Sequence, residues 1–255
     1  MMKSRHSDEE YERLEERERE TTLELAAAML LIMGGVQNDL EKELLSFYNT
    51  YGKDGVVTYQ EARKFVSDQD HRRRLTVLAA TIAALFDDAL EKLSSKFDTL
   101  VDKIFRHEAD FFDLNLETTK RPKWGADNSD WSSRLAKDIE LWKYNIHKDI
   151  IQELIKRSDI KSVLSKVAKR FATITHVIRR LTITESTAIG SIARKEIFNK
   201  LKVKKYRFFT RADERTCEEC GALHGKVFPI SAYQVGVTAS PIHANCRCFE
   251  IPIFN

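Results

Sequence analysis

Asp213-Glu-Arg-Thr-Cys217-Glu-Glu-Cys220-Gly-Ala-Leu-His224-Gly225, followed by Pro241-Ile-His243-Ala-Asn-Cys246-Arg-Cys248, is the stretch on which the reading of this chain turns. It holds all four cysteines of a 255-residue sequence. Two hooks that gather soft ligands, with a loop between them to close both on one ion, are what a tetrahedral zinc site requires. Cys-x-x-Cys in a tight turn lets two thiolates converge, and Gly221 directly after it suits the positive backbone angle such turns use. In the second hook Cys246 and Cys248 share a face of an extended segment, and His243 can fold back beside them. Cys217 and Cys220 form the firm pair. His243, Cys246 and Cys248 compete for the remaining positions, so the expected ligand set for a structural Zn2+ is four of these five.

Rival uses of the same residues are less well supported. Two disulfides would replace the metal in an oxidising compartment. Buried free thiols are common in cores, but four clustered with a histidine make coincidence a poor account. A thioredoxin-type redox pair lacks its surrounding βαβ pattern. Catalytic zinc needs an open coordination position and a nearby general base. No His-Glu-x-x-His occurs, and the deaminase pairing of His-x-Glu with Pro-Cys-x-x-Cys is missing. No catalytic residue is therefore assigned, and the hooks read as a structural clip.

Outward from the hooks, the chain reads as long helices. Few Gly and Pro, 9 and 4, fit that pattern. Apolar residues at 75, 78, 82, 85, 86, 89, 93, 97, 100 and 104 recur in steps of three and four and predict a long amphipathic helix. Trp131, Leu135, Ile139, Trp142, Ile146, Ile150 and Leu154 predict another, its two tryptophans being core anchors. Ile160, Val163, Val167, Phe171, Ile174, Ile178 and Leu181 predict a third. Thr58-Tyr-Gln-Glu61 and Thr182-Ile-Thr-Glu185 both have the spacing of a capping box, so a new helix is expected from Thr182 to about Leu201. Thr118–Asn128 breaks the pattern and is the expected domain boundary. Tyr206–Thr210, apolar and aromatic, predicts a strand leading into the first hook.

Near the amino terminus, Asp8–Glu20 is a charged helical arm of the kind that is usually solvated or docked on a partner. Leu23–Met33 is apolar nearly all round and must be buried in a bundle or an interface. Gly34-Gly35 permits a break before a second helix, Asn38–Tyr48. With a charged start and an apolar run too short to span a bilayer, the reading is no leader, no membrane partner and folding in a reducing cytoplasm, which favours metal over disulfides.

The net charge of +3 hides an asymmetry. Residues 1–50 carry 6 Lys and Arg against 12 Asp and Glu, whereas 156–207 carry 15 against 3. The basic segment would attract phosphates or an acidic protein surface, and Lys166, Lys169, Arg180, Lys202, Lys204, Lys205 and Arg207 are its candidate contacts. No aromatics interleave on its polar face, so base stacking is not indicated.

The ordered string Asp213-x-Arg-Thr-Cys217-x-x-Cys220-x-x-Leu-His-Gly225-Lys-Val-Phe228, then Pro241-x-His243-x-Asn-Cys246-Arg-Cys248, resembles the signature of the phage Mu protein F-like minor head proteins. The preceding Ile183-Thr-Glu185 and the Tyr206-Arg-Phe-Phe strand also sit where that family has them, so the likeness spans about residues 130 to 254. This chain has Ala239-Ser240-Pro241 where many members look like Pro-Pro. The resemblance implies a non-enzymatic minor protein of a tailed-phage or prophage head, assembled in the host cytoplasm, close to the portal and the packaged DNA. A zinc-dependent nuclease or other DNA-processing enzyme is the runner-up.

The expected fold is mainly α: a helical region over 1–120, then a module over 130–255 with helices at 131–201 and a small Cys/His-stapled α+β sheet at 205–254. The staple is expected to matter because roughly 47 residues with short strands bury little apolar surface alone. Metal binding at such a site contributes on the order of ten kcal/mol of folding free energy.

Overall fold

The computed structural model describes residues 6–119 and 121–254. Four long helices dominate: α1 (Asp8–Tyr51), α3 (Gln69–Phe111), α4 (Trp131–Ile155) and α5 (Ile160–Lys200). A two-strand hairpin, β1 (Gly52–Lys53) and β2 (Val56–Val57), and a short helix α2 (Tyr59–Ser67) separate α1 from α3. After α5 come β3 (Lys205–Phe209), α6 (Glu218–Leu223), β4 (Val227–Pro229) and β5 (Phe249–Ile253). The mainly helical fold with a small antiparallel sheet beside the Cys/His hooks is the one expected.

The helical stripes are where the apolar spacing puts them. All seven expected positions of α4, from Trp131 to Leu154, are buried, and α3 buries Leu78, Ile82, Phe86, Ala89, Leu93, Phe97, Leu100 and Ile104. Thr58 caps α2, its hydroxyl accepting from the Glu61 N–H at 3.3 Å. The Glu61 carboxylate turns instead to Lys64 and His71. Asp54 and Gly55 both have positive φ, as the tight β1–β2 turn demands.

Two helix boundaries expected from the sequence are absent. α1 runs through Gly34-Gly35 without a break. Each glycine costs about 1 kcal/mol against alanine in a helix, but buried Met33, Val36, Leu40 and Leu44 flank the pair on one face and offset that cost. Similarly, α5 continues through Thr182, which is fully buried inside the helix rather than at its start. Glu185 therefore does not cap. Its carboxylate, 2 % exposed, accepts from Trp124 Nε1 and Arg134 Nη1, both at 2.7 Å.

Two compact units account for the chain. One comprises Ala28–Ser94 and Leu135–Ile178, with Phe86 stacked on Phe171 and Tyr48 donating to the Ser158 carbonyl at 3.2 Å. The other comprises Met1–Ala27, Ser95–Arg134 and Arg179–Asn255 and contains the hooks. Its sheet has the order β4-β3-β5, all antiparallel, with Tyr206 opposite Phe228 and Pro252. Tyr206, Tyr233, Phe249 and Ile251 pack with Ile197 and Phe198 of α5, Phe112 of the α3 end and Tyr11 of α1. The sheet thus has an apolar core of its own beyond the hooks. That burial comes from α5, α3 and α1 and adds to whatever the hooks contribute.

The acidic arm belongs to this second unit and is not a free solvated helix. Tyr11 and Leu14 are buried, Asp8 pairs with Arg207 at 2.6 Å, and Glu16 pairs with Arg211 at 2.6 Å. Downstream of it, α1 carries the one apolar window among the described residues with the length and composition to cross a membrane, a third of it buried. Leu31 is 79 % exposed there, so the run expected to be buried all round is buried on one face.

Candidate metal centre

The first hook is built by a helix start. Cys217 is the N-cap of α6, with its Sγ accepting from the Cys220 N–H at 3.3 Å, so Cys217 and Cys220 face the same side. The second hook is anchored to α5 from behind. Thr187 Oγ1 donates to the Cys246 carbonyl at 3.2 Å, and the Asn245 N–H donates to Thr184 Oγ1 at 3.1 Å. A bidentate pair joins the two hooks, Arg247 Nη1 and Nη2 reaching Asp213 at 2.6 and 2.5 Å. The peptide between Ser240 and Pro241 is cis, and the Ser240 N–H donates to Glu250 Oε1 at 2.6 Å.

These supports bring the five expected ligands into two overlapping groups that share Cys220. His243 Nε2 lies 3.1 Å from Cys217 Sγ and 3.2 Å from Cys220 Sγ, and the Cys220 and Cys246 sulfurs are 3.8 Å apart. Ligand atoms of Cys217, Cys220 and His243 lie within 4.8 Å of one another, as do those of Cys220, Cys246 and Cys248. Neighbouring ligands of one tetrahedral zinc stand roughly 3.5–3.8 Å apart, given its bond lengths. His243 Nδ1 is 2.8 Å from the Ala244 carbonyl. That bond leaves the Nε2 lone pair aimed at the sulfurs, the usual orientation of a metal-binding imidazole.

All four cysteines are free thiols in this structure. Their protons are unevenly held. Hydrogen bonding from Cys248 brings Cys246 down to about 6, whereas burial pushes Cys220 up and the Cys246 contact pushes Cys248 up. A pocket that cannot ionise several thiols at once, yet converges them on an imidazole lone pair, has the donor set a divalent soft cation satisfies. The cluster is able to hold a metal ion.

Residues 144–251 match the family model described as Phage Mu protein F like protein. This segment, under half of the chain, is similar to the Mu protein F-like proteins. The match takes in both hooks and leaves the residues before 144 outside it. That family is one of phage head morphogenesis. No curated protein and no solved structure matches the chain.

The expected anion contacts are scattered relative to this centre. Lys166 and Lys169 lie in the first compact unit, where Lys166 pairs with Glu153 at 3.1 Å. Arg180, Lys202, Lys204, Lys205 and Arg207 lie in the unit that holds the hooks, Arg207 engaged by Asp8 and the others exposed. What sequence reasoning missed inside the Mu F-like segment is Arg194, 2 % exposed on α5. Its guanidinium meets Glu15, Glu18 at 3.4 Å, Glu108 at 2.6 Å and Glu250 at 3.5 Å. Glu250 also accepts from Ser191 Oγ at 3.0 Å and from the Tyr233 hydroxyl at 2.9 Å. The only sequence signal was an arginine at a position that continues the apolar face of its helix.

Proposed function

We propose that this chain is a non-enzymatic minor head protein of a tailed phage or prophage, whose Mu F-like segment is held by a structural zinc ion. The observation that carries the reading is the coincidence of the family match at 144–251 with five convergent thiol and imidazole ligands inside it. Cys217, Cys220, His243 and Cys246 are the proposed ligands, because the 3.8 Å between the Cys220 and Cys246 sulfurs is that of a tetrahedral edge. Four protein ligands leave no open position for substrate or water, which favours a structural over a hydrolytic role. Bound there, zinc supplies cross-linking of the two hooks. The protein would act in head assembly near the portal and the packaged genome, made in the host cytoplasm and carried in the virion. In this reading Lys169, Arg180, Lys202, Lys204 and Lys205 are available to DNA or to acidic head proteins.

Elemental analysis of the purified full chain tests the centre. One zinc per chain is expected, lost in Cys217→Ser and Cys246→Ser and kept in Cys248→Ser. Metal-free protein with four freely titrating thiols would sink the zinc assignment. Mass spectrometry of purified phage particles tests the setting, and absence of the chain from them would overturn the head-protein reading.

A further inference from the structure

Four arginines converge beside the hooks, from parts of the sequence far apart. Arg211, Arg215 and Arg247 line a small depression at the mouth of the hooks, together with Thr216, Asn245 and the hook residues Cys217, Cys220, His243 and Cys248. Arg19, half-buried on α1, has Arg211, Arg247 and Arg215 as electrostatic neighbours, and all four residues belong to the same compact unit. Two of the four are neutralised within the chain: Arg211 by Glu16 at 2.6 Å and Arg247 by the bidentate Asp213. The Arg215 N–H donates to Asp213 Oδ1 at 3.1 Å, but the side chains of exposed Arg215 and of Arg19 make no hydrogen bond or ion pair among the described residues. Burial, followed by the repulsion of Arg211 and Arg247, opposes the charge of Arg19 and pulls its pKa down.

Guanidinium groups repel one another, so gathering Arg19 near the three that line this depression costs stability beyond what Glu16, Asp213 and the Cys246 and Cys248 sulfurs offset, unless a further anion joins them. Guanidinium forks match the oxygens of phosphate, and the hydroxyl and amide at the rim are further phosphate donors. No Phe, Tyr or Trp lines the depression, so its chemistry favours the phosphate backbone over the bases. We infer that the face formed by Arg19, Arg211, Arg215 and Arg247 beside the Cys/His hooks is a phosphate-binding site for the backbone of a nucleic acid, read without regard to sequence. This deepens the proposed function and rests on it for DNA being the nucleic acid present. The surface is distinct from the basic segment at 156–207.

Arg19→Gln/Arg215→Gln in the full chain is the test, because neither side chain has an ion pair to lose. Binding is read by fluorescence anisotropy of a labelled mixed-sequence DNA duplex across a salt series, with inorganic phosphate and polyglutamate as competitors. The double variant is expected to bind about tenfold more weakly, with the slope of log affinity against log salt flattened by about 2. Lys202→Gln/Lys204→Gln/Lys205→Gln is expected to retain more affinity than the arginine variant. Wild-type affinity in Arg19→Gln/Arg215→Gln overturns the site. So does a wild-type chain that binds polyglutamate and not the duplex, or one that takes up inorganic phosphate which the duplex fails to displace. Exposed Arg215→Gln alone, expected to show about half the slope change, keeps the test open if the double variant folds poorly. Absence from phage particles would remove the head-protein reading without touching this binding, and loss of this binding would leave particle incorporation standing.

Discussion

Arg194 is the only cation among four carboxylates, and three of them come from 176 to 179 residues away or from the far end of α3. Glu250 has hydroxyl and amide donors besides, whereas beyond their Arg194 contacts Glu18 Oε1 and Glu108 Oε2 are buried with no donor among the described residues. Burial pushes Glu18 up to about 8 from an ordinary 4.5, and pushes Glu108 well above its ordinary value. A carboxyl raised in this way binds its proton more tightly in the folded chain than in the unfolded one. Between 4.5 and about 8 the folded state therefore holds more protons, and stability must fall as pH rises through that window. Glu108→Gln is expected to flatten this pH dependence and to raise the melting temperature at pH 8, as measured by calorimetry from pH 5 to 8. A melting curve that stays as pH-dependent as wild type would show that the glutamates are not the protonated pair. Arg194→Met, which strands the carboxylates without a counter-charge, is expected to cost about 3–5 kcal/mol.

At the scale of elements, periodicity carried further than boundaries did. The stripes of α3 and α4 were legible because burial on one face imposes steps of three and four whatever the partner is. The hooks were legible because metal ligation needs fixed residue types at fixed spacing, and the structure gathers all five. Boundaries failed where a local signal had a second use. Thr182-x-x-Glu185 has capping spacing, yet Glu185 serves Trp124 and Arg134, 61 and 51 residues away. Gly34-Gly35 weakens a helix locally, but its flanking buried residues decide the outcome. The packing of the sheet bears on how far a metal ion would hold it. Phe208 shares its small cluster with Cys220, Cys246 and Cys248, while Tyr206 and Phe249 belong to a separate apolar core with α5. Chelation at neutral pH is thus expected to raise hydrogen exchange at residues 210–225 and 240–248 and to leave β3, β5 and α5 protected. Exchange rising equally through α5 would mean that the ion holds the whole unit.

For the whole molecule, the decisive contacts are the ones no window of sequence displays. The acidic arm was read as a tail for solvent or partners because its own composition is polar. Its seat, made by Arg194, Arg207 and Arg211, lies in the last third of the chain. A chain starting at Thr21 would remove Tyr11 and Leu14 from the core and two carboxylates from Arg194. Burying two such side chains contributes roughly 3–5 kcal/mol, so the truncated chain is expected to melt at a clearly lower temperature. Limited proteolysis is expected to cut it near Arg207 and Arg211, and resistance equal to wild type would show that the arm is dispensable.

The compact unit holding the hooks is assembled from Met1–Ala27, Ser95–Arg134 and Arg179–Asn255. A ribosome delivers those three pieces in that order, with Ala28–Ser94 and Leu135–Ile178 threaded between them. The first piece meets Phe111 and Phe112 when the second is made, but its seat is completed only when the last strand emerges. Translation stalled before Phe249 would leave it without the Glu250 and Phe249 side of its seat, and nascent chains of that length are the ones a protease or chaperone would meet first.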